Sequence, residues 1–132
     1  MSQHSYKDLI AWQKGMELVE MIYDVTEGFP SHEQFGLVSQ LRRAAVSVPS
    51  NIAEGKAHYS NRGFVRFLRH ARGSLAEIET QILIAQRRKF LPDSAIPKLT
   101  CHLDELGSIL SGLINSLKER ESAQDSGLGA QD

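Results

Sequence analysis

Acid-base and metal chemistry in a small helical protein rests on carboxylates and imidazoles held on one face, and this chain has both residue types at the wrong spacing. Helical di-iron sites use paired Glu-x-x-His motifs, which project two ligands from one side of a helix. No Glu-x-x-His occurs in these 132 residues; the nearest pairs are Glu54 with His58, which straddles Gly55, and His102 with Glu105. A Gly-x-Ser-x-Gly elbow is absent, and Gly55-Lys56 lacks the earlier glycine of a phosphate-cradling loop. Cys101 is the only cysteine, so no internal disulfide forms, and packing is its expected role. His32, His58 and His70 are far apart in sequence, and the surface is the default place for each. The expectation is a protein that is not an enzyme and holds no metal or cofactor.

Two polar patterns remain. Gln40, Arg43, Ser47, Ser50 and Glu54 recur at spacings 3, 4, 3, 4, with Asn51 beside them, which is the period of a helix seam occupied by polar groups. Arg43 and Glu54 are separated by roughly 16 Å along a straight helix, so they cannot pair with each other. Their partners lie on other helices or in solvent. This seam reads either as a recognition site or as an interface that fixes helix register and subunit geometry. The second pattern is Arg62, Arg66 and Arg69, which fall within about 60° of one another on a helical wheel, with Lys56 and Tyr59 just before them. No acid occurs between Glu54 and Glu77, and residues 42–89 carry ten Lys or Arg against three Glu, a balance of +7. The remainder carries −8, giving the overall −1. Such a row is either a polyanion contact or a solvated helix face.

Four helices are needed to position these groups. Ser5 and Asp8 resemble a helix start, and helix one is expected to run to about Glu27. Leu9, Trp12, Met16, Val19 and Tyr23 form one apolar stripe, and Leu18, Met21, Ile22 and Val25 a second surface. A helix apolar on two sides needs cover on two sides, from a bundle or from another subunit. Gly28-Phe29-Pro30 ends it, Ser31 with Gln34 restarts a helix as a capping box, and helix two is expected to end at Gly55. Leu37, Leu41, Ala44, Ala45, Val48 and Ile52 face inward on it. Pro49 is expected to kink that helix rather than break it, with the small Ala44, Ala45, Ser47, Ser50 and Ala53 admitting a neighbouring backbone.

Ser60 is the candidate cap of helix three, which is expected to reach about Leu91 before Pro92. Phe64, Phe67, Leu68, Ala71, Leu75, Ile78 and Ile82 form its inner face, opposite the arginine row, and Gly73 with Ser74 marks a close helix contact. In helix four, Ile96, Leu99, Leu103, Leu106, Leu110, Leu113 and Leu117 repeat for three heptads. The pattern specifies an all-α, antiparallel up-down four-helix bundle over residues 1–120. Residues 121–132 have almost nothing apolar to bury and are expected to be a disordered polar tail. No apolar run is long enough for a signal peptide or membrane span, so the expected location is the cytoplasm, without membrane contact.

Several motifs resemble a known family. Tyr6-x-x-Leu9-x-x-Trp12-Gln13-Lys14, Tyr23-x-x-Thr26-x-x-Phe29-Pro30-x-x-Glu33, the whole of Gln40 to Gly55, and Phe67-Leu68-x-x-Ala71-x-Gly73-Ser74-x-x-Glu77 are similar to proteins encoded in intervening sequences of bacterial large-subunit ribosomal RNA genes. The resemblance covers roughly Ser5 to Leu117. It implies a four-helix bundle assembled as a homopentameric barrel, and kinship to the accessory variability determinant of diversity-generating retroelements, which binds a reverse transcriptase and nucleic acid. The resulting expectation is a non-catalytic oligomeric module that binds RNA or DNA or serves as a ribonucleoprotein accessory; the alternative is a protein-protein scaffold without nucleic acid.

Overall fold

A computed structural model describes residues 5–58 and 60–131, with side chains described through residue 123. Ser5 accepts the Lys7 amide at 3.2 Å and caps a 3₁₀ turn over Tyr6–Asp8. Helix α1 (Ile10–Thr26) therefore begins beyond Asp8, which caps nothing. A second 3₁₀ turn, Ser31–Glu33, leads into a π-helical segment, Gln34–Val38, and then into α2 (Ser39–Lys56). The capping box read at Ser31 and Gln34 is not formed. The tight turn followed by a wide one changes which amide is free, and Glu33 takes the Leu37 amide at 3.1 Å instead.

Helix α2 continues through Pro49 without a break and ends at Lys56, one residue past Gly55. Pro49 is buried against α1, where a Cβ added to Gly15 would lie 3.4 Å from the proline ring. Small residues thus do admit a neighbour here, with Gly15 supplying the closest part. Ser60 caps α3 (Asn61–Arg87) by accepting the Gly63 amide at 3.0 Å, as its position suggested. That helix stops before Leu91 because Lys89 adopts the left-handed conformation, φ 63°, and the Phe90 amide turns back to the Ala85 carbonyl at 2.9 Å. After a 3₁₀ turn at Asp93–Ala95, α4 runs Ile96–Gln131. Pro97 sits in its first turn, where its missing amide is harmless.

The four helices pack as an antiparallel bundle, with α2 and α3 in the most extensive contact and α1 against α4 in the sparsest. Leu18 and Ile22 of α1, Leu41, Val48 and Ile52 of α2, Leu68 and Ile78 of α3, and Leu106 and Leu110 of α4 are shut off from solvent. Each such side chain contributes about 1.5 to 3 kcal/mol through burial. The sparse α1–α4 seam is tied by polar groups: His102 Nε2 lies 2.8 Å from the Lys14 carbonyl, and the Lys14 ammonium lies 3.2 Å from Glu105. Glu105, and secondarily Glu17, holds the Lys14 pKa above its ordinary value.

Two packing expectations change. The stripe of α1 that faces the core is Ala11, Gly15, Leu18, Ile22 and Thr26, while Met16 and Tyr23 are exposed and Trp12 only half-buried. Small residues bring the α1 backbone close to α2 and leave the larger stripe outside. Gly73 is exposed with nothing within 4 Å of an added Cβ, so it marks no helix contact; its neighbour Ser74 does, bonding Ser47 at 2.6 Å. The backbone of α4 is helical through Gln131, beyond Leu117, the last buried side chain among those described. Glu119, Glu121 and Ala123 are good helix formers, which favours continuation of the helix there. Asp132 lies outside the described residues.

Among the described residues no helix is long and apolar enough to cross a membrane.

Candidate nucleic-acid interface

The polar seam of α2 divides in two. Gln40 and Ser47 reach α3: Gln81 donates to the Gln40 amide oxygen at 3.2 Å, and Ser47 meets Ser74. Asn51 turns back onto the Ser47 carbonyl at 2.8 Å. Arg43, Ser50 and Glu54 are exposed on the protomer, so solvent satisfies Arg43 and Glu54 here. An amphipathic helix with two polar flanks produces this division, one flank against α3 and the other outward.

The outward flank runs beside the displaced stripe of α1. Tyr6, Trp12, Met16, Val19, Val46, Pro49, Ser50 and Ala53 line one hollow between α1 and α2. Beyond it, Phe35 is 94% exposed and lies with Tyr23, Arg42, Arg43 and Val46 around a second hollow. Arg42 is the residue there that sequence reasoning missed. Its Nε donates to Thr26 Oγ1 at 2.9 Å, its Nη2 to the Tyr23 carbonyl at 3.3 Å, and its guanidinium covers the Tyr23 ring at 4.4 Å. A cation on the last carbonyls of α1 also suits the negative end of that helix.

The opposite flank of the bundle is cationic. Arg62, Arg66 and Arg69 project from the first turns of α3, all exposed, into one groove of about 690 Å³ whose far wall is Leu117, Lys118, Glu121 and Ser122 of α4. The arginines share that groove because burying Phe64, Leu68 and Ala71 on the other side of α3 turns all three outward. Among the described residues Glu121 is the one acid lining it and sits 3.9 Å from Arg62, which is 82% exposed; a pair this open is worth about 0 to 1 kcal/mol.

Lys56 does not join the groove lining; its ammonium lies 5.9 Å from the Phe64 ring centre. Tyr59 lies outside the described residues. Lys118, His58 and Asn61 do line the groove and were not singled out in sequence for such a role. Lys118 could have been found only by pairing the start of α3 with the end of α4, a consequence of antiparallel packing. Among the described residues no three His, Cys, Asp or Glu side chains converge as metal ligands.

Comparison with known proteins bears on the fold and the family. The chain is similar to a protein of unknown function from the S23 ribosomal protein family of Bacteroides thetaiotaomicron VPI-5482, whose crystal structure superposes with a TM-score of 0.75 over 83% of this chain and 98% of that one. The two share 20% sequence identity, so the likeness establishes the fold alone. No curated protein matches the chain. The family described as 23S rRNA-intervening sequence protein matches residues 7–112, nearly the whole of the four helices up to the outer part of α4. The chain belongs to the 23S rRNA-intervening sequence protein family.

Proposed function

We propose that this protein is a non-catalytic, self-associating helical-bundle module that binds RNA or DNA, as an accessory part of a ribonucleoprotein. The observation that carries the reading is the convergence of Arg62, Arg66, Arg69 and Lys118 on one open groove with a single acid, Glu121, among the described residues that line it. Such a surface attracts phosphate backbones through counterion release, so binding falls with salt and varies little with sequence. Self-association is supported by the uncovered apolar strip of α1 and α2, in which Met16, Tyr23, Phe35 and Val46 are all exposed. A cyclic assembly, with five subunits the number suggested by resemblance, repeats the groove around a ring and sums modest contacts into useful affinity.

The test is binding of single-stranded and duplex RNA and DNA at two salt concentrations, for the wild type and for Arg62→Glu/Arg66→Glu/Arg69→Glu. The expected result is binding that weakens steeply with salt and a triple variant that loses most of it with its fold intact. Equal binding by the triple variant would assign the wrong surface. The second reading, a protein-binding scaffold whose partner is a protein such as a reverse transcriptase, is favoured by Phe35 standing almost wholly in solvent. It moves ahead if the wild type binds no nucleic acid at low salt.

A further inference from the structure

Beside the arginine row stands an aromatic group that phosphate binding does not use. Gly55 is buried where an added Cβ would come within 2.8 Å of Phe67 Cβ and 2.9 Å of Phe64 Cδ1, so the end of α2 lies flush against the first two turns of α3. Three residues later His58 returns over Phe67, with ring centres 4.7 Å apart and planes at 40°. Gly63 leaves the room: a side chain there would begin 3.0 Å from His58 Nδ1 and 3.2 Å from its Cβ. Phe67 also carries the Arg66 guanidinium at 5.3 Å and His70 at 6.1 Å. An exposed histidine is ordinarily free to turn. This one is braced by Phe67 on α3 and by the α3 backbone at Gly63, and it lines the same groove as Arg62, Arg66 and Arg69.

We propose that His58 is a stacking platform for one base, and that the groove takes single-stranded nucleic acid, its phosphates held by Arg62, Arg66, Arg69 and Lys118. The inference rests on the nucleic-acid reading above and narrows its ligand. A groove of about 690 Å³ has room for one splayed base beside the cations. Val65 and Leu117 give the groove an apolar floor, and Asn61 offers an amide within the lining. In a duplex both faces of a base are already stacked and none is free for an imidazole. A single strand can splay one base onto a ring while its backbone stays on the cations. Among the described residues Glu121 is the lining acid that competes for Arg62, and Arg66, Arg69 and Lys118 face the strand.

The experiment is fluorescence anisotropy with a labelled 12-nucleotide RNA, alone and annealed to its complement, at low salt and pH 8, above the range in which imidazoles ordinarily titrate. Wild type, His58→Ala, His58→Trp and the triple arginine variant are compared, with melting curves to confirm the fold. The expected result is a wild-type preference for the single strand, a loss of about 5- to 100-fold on that strand alone for His58→Ala, and retention or gain for His58→Trp. Unchanged single-strand affinity in His58→Ala, or equal losses on strand and duplex, overturns the platform. Duplex binding at least as tight as single-strand binding, lost in the triple arginine variant while His58→Ala changes neither, overturns this inference and spares the broader one; no binding of either form overturns both.

Discussion

The two outer flanks of the bundle are built by the same rule and finish with opposite surfaces. Where α1 meets α2 the contact is made through small residues, Gly15 against Pro49 with Ala11, Ala44 and Ala45 buried nearby beside Leu18, Ile22, Leu41 and Ile52, while Trp12 is half-buried and Met16, Tyr23 and Val46 remain exposed. On α3 and α4 the core is reached through large ones, Phe64, Leu68, Leu110 and Leu117, and the outside is left to Arg62, Arg66, Arg69 and Lys118. Both flanks bury bulky apolar groups, Leu18, Ile22, Leu41 and Ile52 on one and Leu68, Ile78, Leu106 and Leu110 on the other, and the difference lies in what remains outside around the α1–α2 hollows and the arginine row. The flank with large side chains left over is suited to a dry contact with protein, the other to a hydrated contact with phosphate. The two contacts also respond oppositely to salt, since screening weakens ionic attraction and leaves apolar association in place.

The comparison breaks first at the apolar strip. Met16→Asp/Val46→Asp places two carboxylates where the side chains are only half-buried or less, so the fold should survive while self-association weakens by more than about 100-fold. Light scattering at micromolar concentration checks it. An oligomer of unchanged mass would assign assembly to another surface.

A smaller effect is expected beneath the basic flank. Gly55→Ala pushes a methyl group into Phe67 and Phe64, and should destabilise the fold by about 1 to 3 kcal/mol, seen as a melting temperature lower by several degrees. Polyanion affinity should fall with it, because Phe67 supports Arg66 and His58, whereas the apolar strip should keep its behaviour. An unchanged melting point would mean that the two aromatic rings shift freely, and the groove would lose its rigid backing.

The smallest effect sharpens the contrast from neutral ground. Lys89 holds a left-handed conformation at the far end of α3 from the arginine row, and Lys89→Gly should stabilise the protein by about 0.5 to 1 kcal/mol in urea unfolding. Neither association nor polyanion binding should change. A destabilised Lys89→Gly protein would show that the lysine side chain does more than tolerate its backbone.

What was legible in sequence divides along the same line. The heptads of α4 placed Leu99, Leu103, Leu106, Leu110 and Leu117 in the core, and the arginines of α3 fell outside because the apolar face opposite them was unbroken. Ile96 at the helix start and Leu113 are half-buried, with Ile114 taking the place of Leu113, as a straight helix drifts against a seven-residue repeat. In α1 two apolar surfaces were legible but not which of them the bundle covers: Ala11 and Gly15 let the backbone approach, and closeness turned Leu18 and Ile22 inward and left Met16 and Tyr23 exposed. Lys118, His58 and Arg42 were illegible as functional or capping groups because each acts on a helix far from it or across a turn.

The central claim is that assembly and nucleic-acid binding reside on separate flanks with different physics. The most direct measurement follows both on the same samples, mass by light scattering and RNA affinity by anisotropy, across a salt series from about 50 to 200 mM. The expected result is an oligomer whose mass holds throughout while affinity falls steeply and log-linearly with salt. A monomeric mass at micromolar concentration, or a mass and an affinity that decline together, would contradict it.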